Sequence, residues 1–296
     1  MIKLINILKE NLSTPLLISE CVIAYIELDG KTILCKNRDR MYTPNLKVIH
    51  ELSNGVELCY IYDTNTDYSE GMNGDGIAIV NSALLVKDDE KEGSDKYKDK
   101  SDSTEKSKKG YDGLKIRTAL GSNNLKEALR SILTYVGKDK KDVGIKGFTM
   151  VSTPKSTYII EATSADLPIV TKVKPTTKAL VRTNHGIHHP NAGYLEGPKR
   201  TSSLSRYDLS KQNLLKVDNE NDILNTLRGE YTSNYDNPYR KGGEKDMTTT
   251  SQLKMNVHNL TFELYPDPKN CNFLGYENKL PEGYEPKIKV TIQQDK

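Results

Sequence analysis

Cys21 is the residue whose chemistry can be argued most directly from its type and place in the chain. A free thiol ionises near pH 8.5, so an isolated cysteine is only partly thiolate at neutral pH. Cutting the peptide bond before Cys21 would put an α-amino group, with a pKa of about 7.7–8, on the same residue. That amine could take the thiol proton directly or through one water, so nucleophile and base would come as a unit. With the bond intact the nitrogen is an amide and cannot act as base. Read for structure alone, Cys21 is a small buried residue opening a strand.

Four further segments carry groups that such a nucleophile needs. Lys36-Asn37-Arg38-Asp39 closely follows the strand that returns beside Cys21, so a carboxylate and an amide come back near the thiol. Taken alone, Asn37-Arg38-Asp39 is an ordinary polar loop end. Gly71-Met72-Asn73-Gly74-Asp75-Gly76 precedes the apolar run Ile77–Val80. Its glycines do not have dinucleotide-fingerprint spacing, and a tight turn is the plainer reading. Asn73 could still donate an N–H to an oxyanion. Thr183-Asn184-His185 ends a strand; an oxyanion donor such as Asn184 would be worth about 3–4 kcal/mol of barrier. His185 also suggests a Cys–His pair, and His188 and His189 raise the idea of a metal. No metal-ligand spacing supports that idea, so no metal or other cofactor is expected. Arg206, in Ser202–Tyr207 at a helix start, could pair with Asp39 or the nucleophile region.

The elements that must position these groups follow from pattern. Cys21–Leu28 and Lys31–Cys35 read as strands joined by the Asp29-Gly30 turn. Strand-like runs recur at Val56–Tyr62, Ile77–Asn81, Gly147–Ser152, Thr157–Ala162 and Ala179–Thr183, and the chain from Gln252 onward is β-rich. A helix is expected over Asn124–Val136, with Leu125, Ala128, Leu129, Ile132 and Leu133 on one face, capped by Ser122 or Asn123 and ended by Gly137. Two more are expected at about Ser203–Leu215 and Asp222–Leu227. Strands at both ends with helices between imply a layered α+β domain. Residues 87–109, KDDEKEGSDKYKDKSDSTEKSKK, cannot bury enough apolar surface to offset chain entropy and are expected to form a disordered insertion.

Composition limits the function classes. The 43 basic and 40 acidic side chains leave a formal net charge of +3 in 296 residues, which argues against a dedicated nucleic-acid binder. No apolar run approaches the roughly 18 residues of a membrane span. The four cysteines form no CxxC pair and are too sparse for a disulfide scaffold. Reduced thiols and a cytoplasmic setting are the default. Residues 1–20 lack a continuous apolar core and a small-residue cleavage site, and read as a leader packed on the domain; export stays the alternative.

Taken in order, the segments resemble the cysteine branch of the N-terminal-nucleophile (Ntn) hydrolases, which includes bile-salt and penicillin V hydrolases, acid ceramidases and penicillin acyltransferases. The family's Arg-Asn-x-Asp motif is matched by Lys36-Asn37-Arg38-Asp39, its Gly-Met-Asn-Glu turn by Gly71–Gly74, its Thr-Asn-His by Thr183–His185, and its Ser-x-x-Ser-Arg-aromatic helix start by Ser202–Tyr207. The resemblance implies a four-layer αββα sandwich of two antiparallel sheets flanked by helices, in a single domain over 21–296. It implies self-cleavage between Glu20 and Cys21, then attack by Cys21 on a linear amide through a thioester. Asn73 and Asn184 would hold the oxyanion, and Asp39 and Arg206 would orient the amine and thiolate. Lys36, Asn37 and His185 would lie against the small-molecule amide or acyl substrate. Lys36, Val22 and Glu20 depart from the family's usual arginine, threonine and small or apolar residue. Two alternatives follow: an unprocessed, inactive relative that binds a ligand or protein, favoured by Glu20 and Lys36, and a papain-like protease using Cys21 and His185.

Overall fold

The computed structural model describes residues 19–84, 111–133, 145–163, 167–233, 235–242 and 247–293. The charged insertion at 87–109, Gly137 and all of the leader except Ser19 and Glu20 lie outside them.

The β1–β2 hairpin comes first, with strands Ser19–Leu28 and Lys31–Arg40. Asp29 and Gly30 take positive φ at 50° and 73°, the conformation that a two-residue hairpin turn demands. Both strands are longer than expected. β1 begins before Cys21, and β2 continues through the charged run Lys36–Arg40, which is buried strand and not a loop end. The reason is that β2 is enclosed on both sides: β1 pairs with it along one edge and β11 (Thr248–Asn256) along the other. Each charge finds a partner in the interior.

These strands belong to a six-stranded sheet of order β10-β1-β2-β11-β12-β14, where β10 is Ala179–Arg182, β12 Thr261–Pro266 and β14 Lys289–Ile292. An eight-stranded sheet runs β13-β3-β4-β5-β6-β7-β8-β9. Its strands are β3 Asn45–Ser53, β4 Val56–Asp63, β5 Tyr68–Asn73, β6 Ala78–Ser82, β7 Gly147–Thr153, β8 Ser156–Ala162, β9 Ile169–Lys172 and β13 Asn272–Lys279. Pairing is antiparallel throughout except at one edge of each sheet, where β14 joins β12 and β13 joins β3 in parallel. Both exceptions arise because the chain leaves the first sheet after β12, adds β13 to the second, and returns as β14.

Period-2 alternation divides each sheet into an inner and an outer face. Cys21, Ile23, Leu34, Met72, Val80, Phe148, Leu253 and Phe262 pack between the sheets. Helices α1 (Tyr111–Leu120) and α2 (Leu125–Leu133) cover the outer face of the larger sheet through Ile116, Ala128 and Ile132 against Leu58, Ile79 and Val151. Helices α3 (Gly197–Leu214) and α4 (Ile223–Arg228) cover the other sheet through Leu214, Ile223 and Leu227 against Val22, Ile26 and Val181. The result is the four-layer α+β sandwich, helix–sheet–sheet–helix.

Helix boundaries differ from the sequence expectation for local reasons. α2 is capped by Asn124, whose side chain accepts the N–H of Glu127 at 3.0 Å, and not by Ser122 or Asn123. α3 starts six residues earlier than expected because Pro198 fits the first turn, where no N–H is needed. No helix among the described residues is long and apolar enough to cross a membrane.

Candidate active site

Cys21 lies on β1 opposite Arg38 of β2, with Glu20 opposite Asp39. Alternation then divides the surroundings into two half-sites. Cys21 projects between the sheets, on the face of β2 that carries Lys36, Arg38 and Arg40. Glu20 and Asp39 project to the other face, beneath α3.

On the inner half-site the thiol meets Arg40, whose Nη1 is 3.5 Å from Sγ and also donates to the Asp39 carbonyl at 2.7 Å. Burial disfavours the Arg40 charge, but attraction to Cys21 and Tyr42 outweighs it and holds the guanidinium protonated. Lys36, expected against the substrate, is engaged elsewhere. It forms a buried ion pair with Glu70 and donates to the Asn81 carbonyl at 2.6 Å. Arg38 pairs with Asp63 at 2.6 Å. Three cations at every second position of one strand thus bridge to the opposite sheet or to the thiol.

The outer half-site is an ion cluster. Glu20, 2% exposed, accepts from Tyr194 Oη at 2.5 Å and Arg206 Nη2 at 3.0 Å, and lies 2.7 Å from Arg240 Nη1. Burial pushes the Glu20 carboxyl up, but Arg206 and Arg240 more than reverse this and hold it below the ordinary carboxylate value. Asp39 accepts from Thr249 Oγ1 at 2.7 Å. Its second oxygen, 3.7 Å from Arg206 and 4.0 Å from Arg240, accepts no hydrogen bond among the described residues. Burial raises the Asp39 pKa against the opposing pull of Arg240 and Arg206.

Asn184 joins the half-sites. Its Oδ1 accepts the Cys21 N–H at 3.3 Å and Arg206 Nη2 at 3.1 Å. Its Nδ2 donates to the Ala83 carbonyl at 2.8 Å and Ser82 Oγ at 3.3 Å. The Cys21 carbonyl accepts from Arg206 Nη1 and Ser82 Oγ, both at 3.4 Å. Cys21, Asp39, Asn184 and Arg206 are therefore brought together.

Asn73, Asn37 and His185 are placed differently. Asn73 follows Met72, which faces the inter-sheet core, so alternation turns its side chain toward the helices. There it donates to the carbonyls of Leu120 and Ser122 at 2.8 and 2.9 Å and accepts the N–H groups of Asp75 and Ile77. All its capacity goes into organising the turn, which Gly76 completes at a φ of 82°. Asn37 donates to the carbonyls of Leu227 and Pro238 and accepts from Gln252, tying α4 to the sheet. His185 Nδ1 contacts the hydroxyls of Thr183 and Ser203 at 3.1 and 3.0 Å. Burial and the nearby Arg200, Arg206 and Arg182 lower its pKa to about 4, so the ring is neutral at pH 7. No hydrogen bond joins it to Cys21 among the described residues. The neighbouring backbone N–H groups of Ile187, His188 and His189 converge on the Glu161 carboxylate. No metal-ligating cluster occurs among the described residues.

Arg40, Arg240 and Tyr194 were not singled out from sequence. Arg40 was legible in principle: once Lys36–Arg40 is read as strand, alternation puts it on the Cys21 face. Arg240 and Tyr194 come from segments with no regular secondary structure and carry no local signal. The other cysteines are poor nucleophiles, since burial raises the thiol pKa of Cys35 and Cys59 and pushes Cys271 up to about 12. A surface depression lined by Leu28, Asp29, Pro175 and Asp218 sits at the turn end of the hairpin, about 23 Å along β1 from Cys21.

No family model matches the chain, and no curated protein matches it. Among solved structures, the chain is similar to penicillin V acylase from Agrobacterium tumefaciens, with 10% sequence identity, a TM-score of 0.40, and coverage of 83% of this chain and 85% of that chain.

Proposed function

We propose that the protein is an amidohydrolase or acyltransferase that uses the Cys21 thiol after the Glu20–Cys21 bond is cut. One observation carries the reading: Cys21 has an arginine at its sulfur and an asparagine at its nitrogen, in a cluster that also contains Asp39 and Arg206. In the first step the thiol attacks the Glu20 carbonyl. The C–S bond forms, the C–N bond breaks, and the thiol proton passes to the departing Cys21 nitrogen. Water hydrolyses the thioester, releasing the Glu20 carboxylate and restoring the thiol. The freed amine is then the base for substrate turnover. Asn184 Oδ1 already accepts from this nitrogen, and the Asp39 oxygen that accepts no hydrogen bond among the described residues is the group assigned to receive one from it as ammonium. Arg40 stabilises the thiolate. A substrate amide is attacked in the same way, and water or an amine resolves the acyl-enzyme.

The test is the intact mass of freshly purified protein beside Cys21→Ala. Loss of residues 1–20 from the parent alone supports the reading. An uncut parent that no thiol-directed acyl probe labels at Cys21 sinks it. A second reading, an unprocessed binding protein, is favoured by the closed ion cluster around Glu20, which stabilises the uncut chain.

A further inference from the structure

The charges of the outer half-site balance only while Glu20 is present. Glu20 and Asp39 offset Arg206 and Arg240, and both arginines are fully buried. Cutting before Cys21 removes the Glu20 carboxylate and adds an amine. Two buried guanidinium groups then face one carboxylate, and an unpaired buried charge is strongly destabilising.

The cation pocket does not depend on Glu20 for its shape. Arg240 donates from Nη2 to Ser202 at 2.9 Å and from Nε to the Tyr235 carbonyl at 3.1 Å, and its guanidinium stacks 4.8 Å from the Tyr235 ring. Its backbone is pinned to Thr249 from both sides. Arg206 is held by Asn184 and by the Cys21 carbonyl. The pocket is therefore pre-organised for an anion.

Which anion follows from the self-cleavage step, so this inference rests on the proposed function. In that step Glu20 is the acyl group transferred to Cys21, and its side chain occupies the acyl-side pocket. We propose that the mature site takes amides whose acyl group bears a carboxylate at the glutaryl spacing, with three carbons between it and the carbonyl, held by Arg206, Arg240 and Tyr194.

Two experiments test this separately from the function itself. The first needs no activity. In the Cys21→Ala background, which keeps the chain intact, Glu20→Gly removes a side chain equivalent to propionate. Propionate should raise its Tm by about 2–4 °C by mass action, while uncharged propionamide does not. An equal response to both, or to neither, overturns the anion pocket. Should the double variant not fold, refolding that succeeds with propionate and fails with propionamide supports the pocket, and failure with both overturns it. The second compares N-glutaryl- and N-pentanoyl-4-nitroanilide as substrates of the processed protein. A kcat/KM higher by about tenfold or more for the glutaryl compound is expected, with the ratio falling toward one in Arg240→Met. Equal rates on the two substrates overturn the carboxylate preference and leave the amidase standing. A chain that stays uncut and cleaves neither overturns the amidase, and the propionate comparison alone then decides the pocket.

Discussion

The backbone N–H of Cys21 donates to the carboxamide oxygen of Asn184 at 3.3 Å, across 163 residues of chain. The same oxygen accepts from Arg206, so one acceptor fixes both the nitrogen to be freed and the cation beneath it. Asn184→Ala should slow amide turnover by about 100-fold by misplacing the reacting nitrogen. Its Nδ2, spent on Ala83 and Ser82, is not turned to an oxyanion as the sequence leads one to expect. Progress curves on processed protein measure this; an effect below about threefold would remove Asn184 from the machinery.

Asn73 gives the contrasting case. Asn73→Ala leaves the Leu120 and Ser122 carbonyls and the N–H groups of Asp75 and Ile77 without its side chain. Stability should fall by about 2–4 kcal/mol, while the rate per folded molecule changes by less than about twofold. Urea unfolding with active-site titration separates the two quantities. A large rate loss at unchanged stability would return Asn73 to the oxyanion role that its turn motif suggested.

The Lys36–Glu70 pair is a buried bridge between the sheets, and here the sign of the effect depends on how it is removed. Lys36→Met strands the Glu70 carboxylate and should cost about 3–5 kcal/mol. Adding Glu70→Leu should recover most of that loss. A double-mutant cycle by denaturant melts tests it, and simple additivity of the two losses would contradict the bridge.

His185 predicts a pH dependence. Its folded-state pKa of about 4 lies below the ordinary value of 6.5 because burial and three arginines disfavour the imidazolium. Below pH 6.5 the unfolded chain therefore binds a proton that the folded chain refuses, so stability falls with pH from 6.5 to about 4. Thermal melts of the parent and His185→Gln from pH 7 to 4.5 should diverge, the variant losing less. Glu20 acts in the same direction at lower pH: its depressed pKa makes its contribution present above the ordinary carboxylate range and lost on acidification.

Much of the fold was legible because hydrophobic alternation and turn chemistry are local signals. The hairpin at Asp29-Gly30, the strands around Val56–Tyr62 and Gly147–Ala162, and the α2 face all reflect contacts encoded within a few residues. β3 and β5 escaped notice. In NLKVIHELS and YSEGMN, polar residues such as His50, Ser69 and Glu70 lie buried through pairings made by distant segments. Asn37-Arg38-Asp39 reads as a loop end for the same reason, since the charges of this strand are satisfied by Glu70, Asp63 and the helix-side cluster. At the site, short motifs placed Cys21, Asp39, Asn184 and Arg206 in one neighbourhood. They misplaced Asn73 and Asn37, because a motif gives residue type and order but not which face of the strand the side chain occupies.

The position of the Glu20–Cys21 bond inside β1 has a further consequence. Ser19 and Glu20 are in register with Arg40 and Asp39, while Cys21 to Leu28 continue the same ladder toward the turn. Cleavage there would divide a central strand and leave the remainder of the hairpin in place. β2 would still be clasped by β11, where Arg40 faces Thr248 and Asp39 faces Thr249. Maturation would thus leave the sheet standing but strip one short length of its border, exposing main-chain donors and acceptors beside the new amino terminus. Such a border is where an extended chain can align by backbone pairing alone. Departure of Ser19 and Glu20 would free that short length of β2, and amide hydrogen exchange along Asp39–Arg40, at whichever N–H faces β1, would report it.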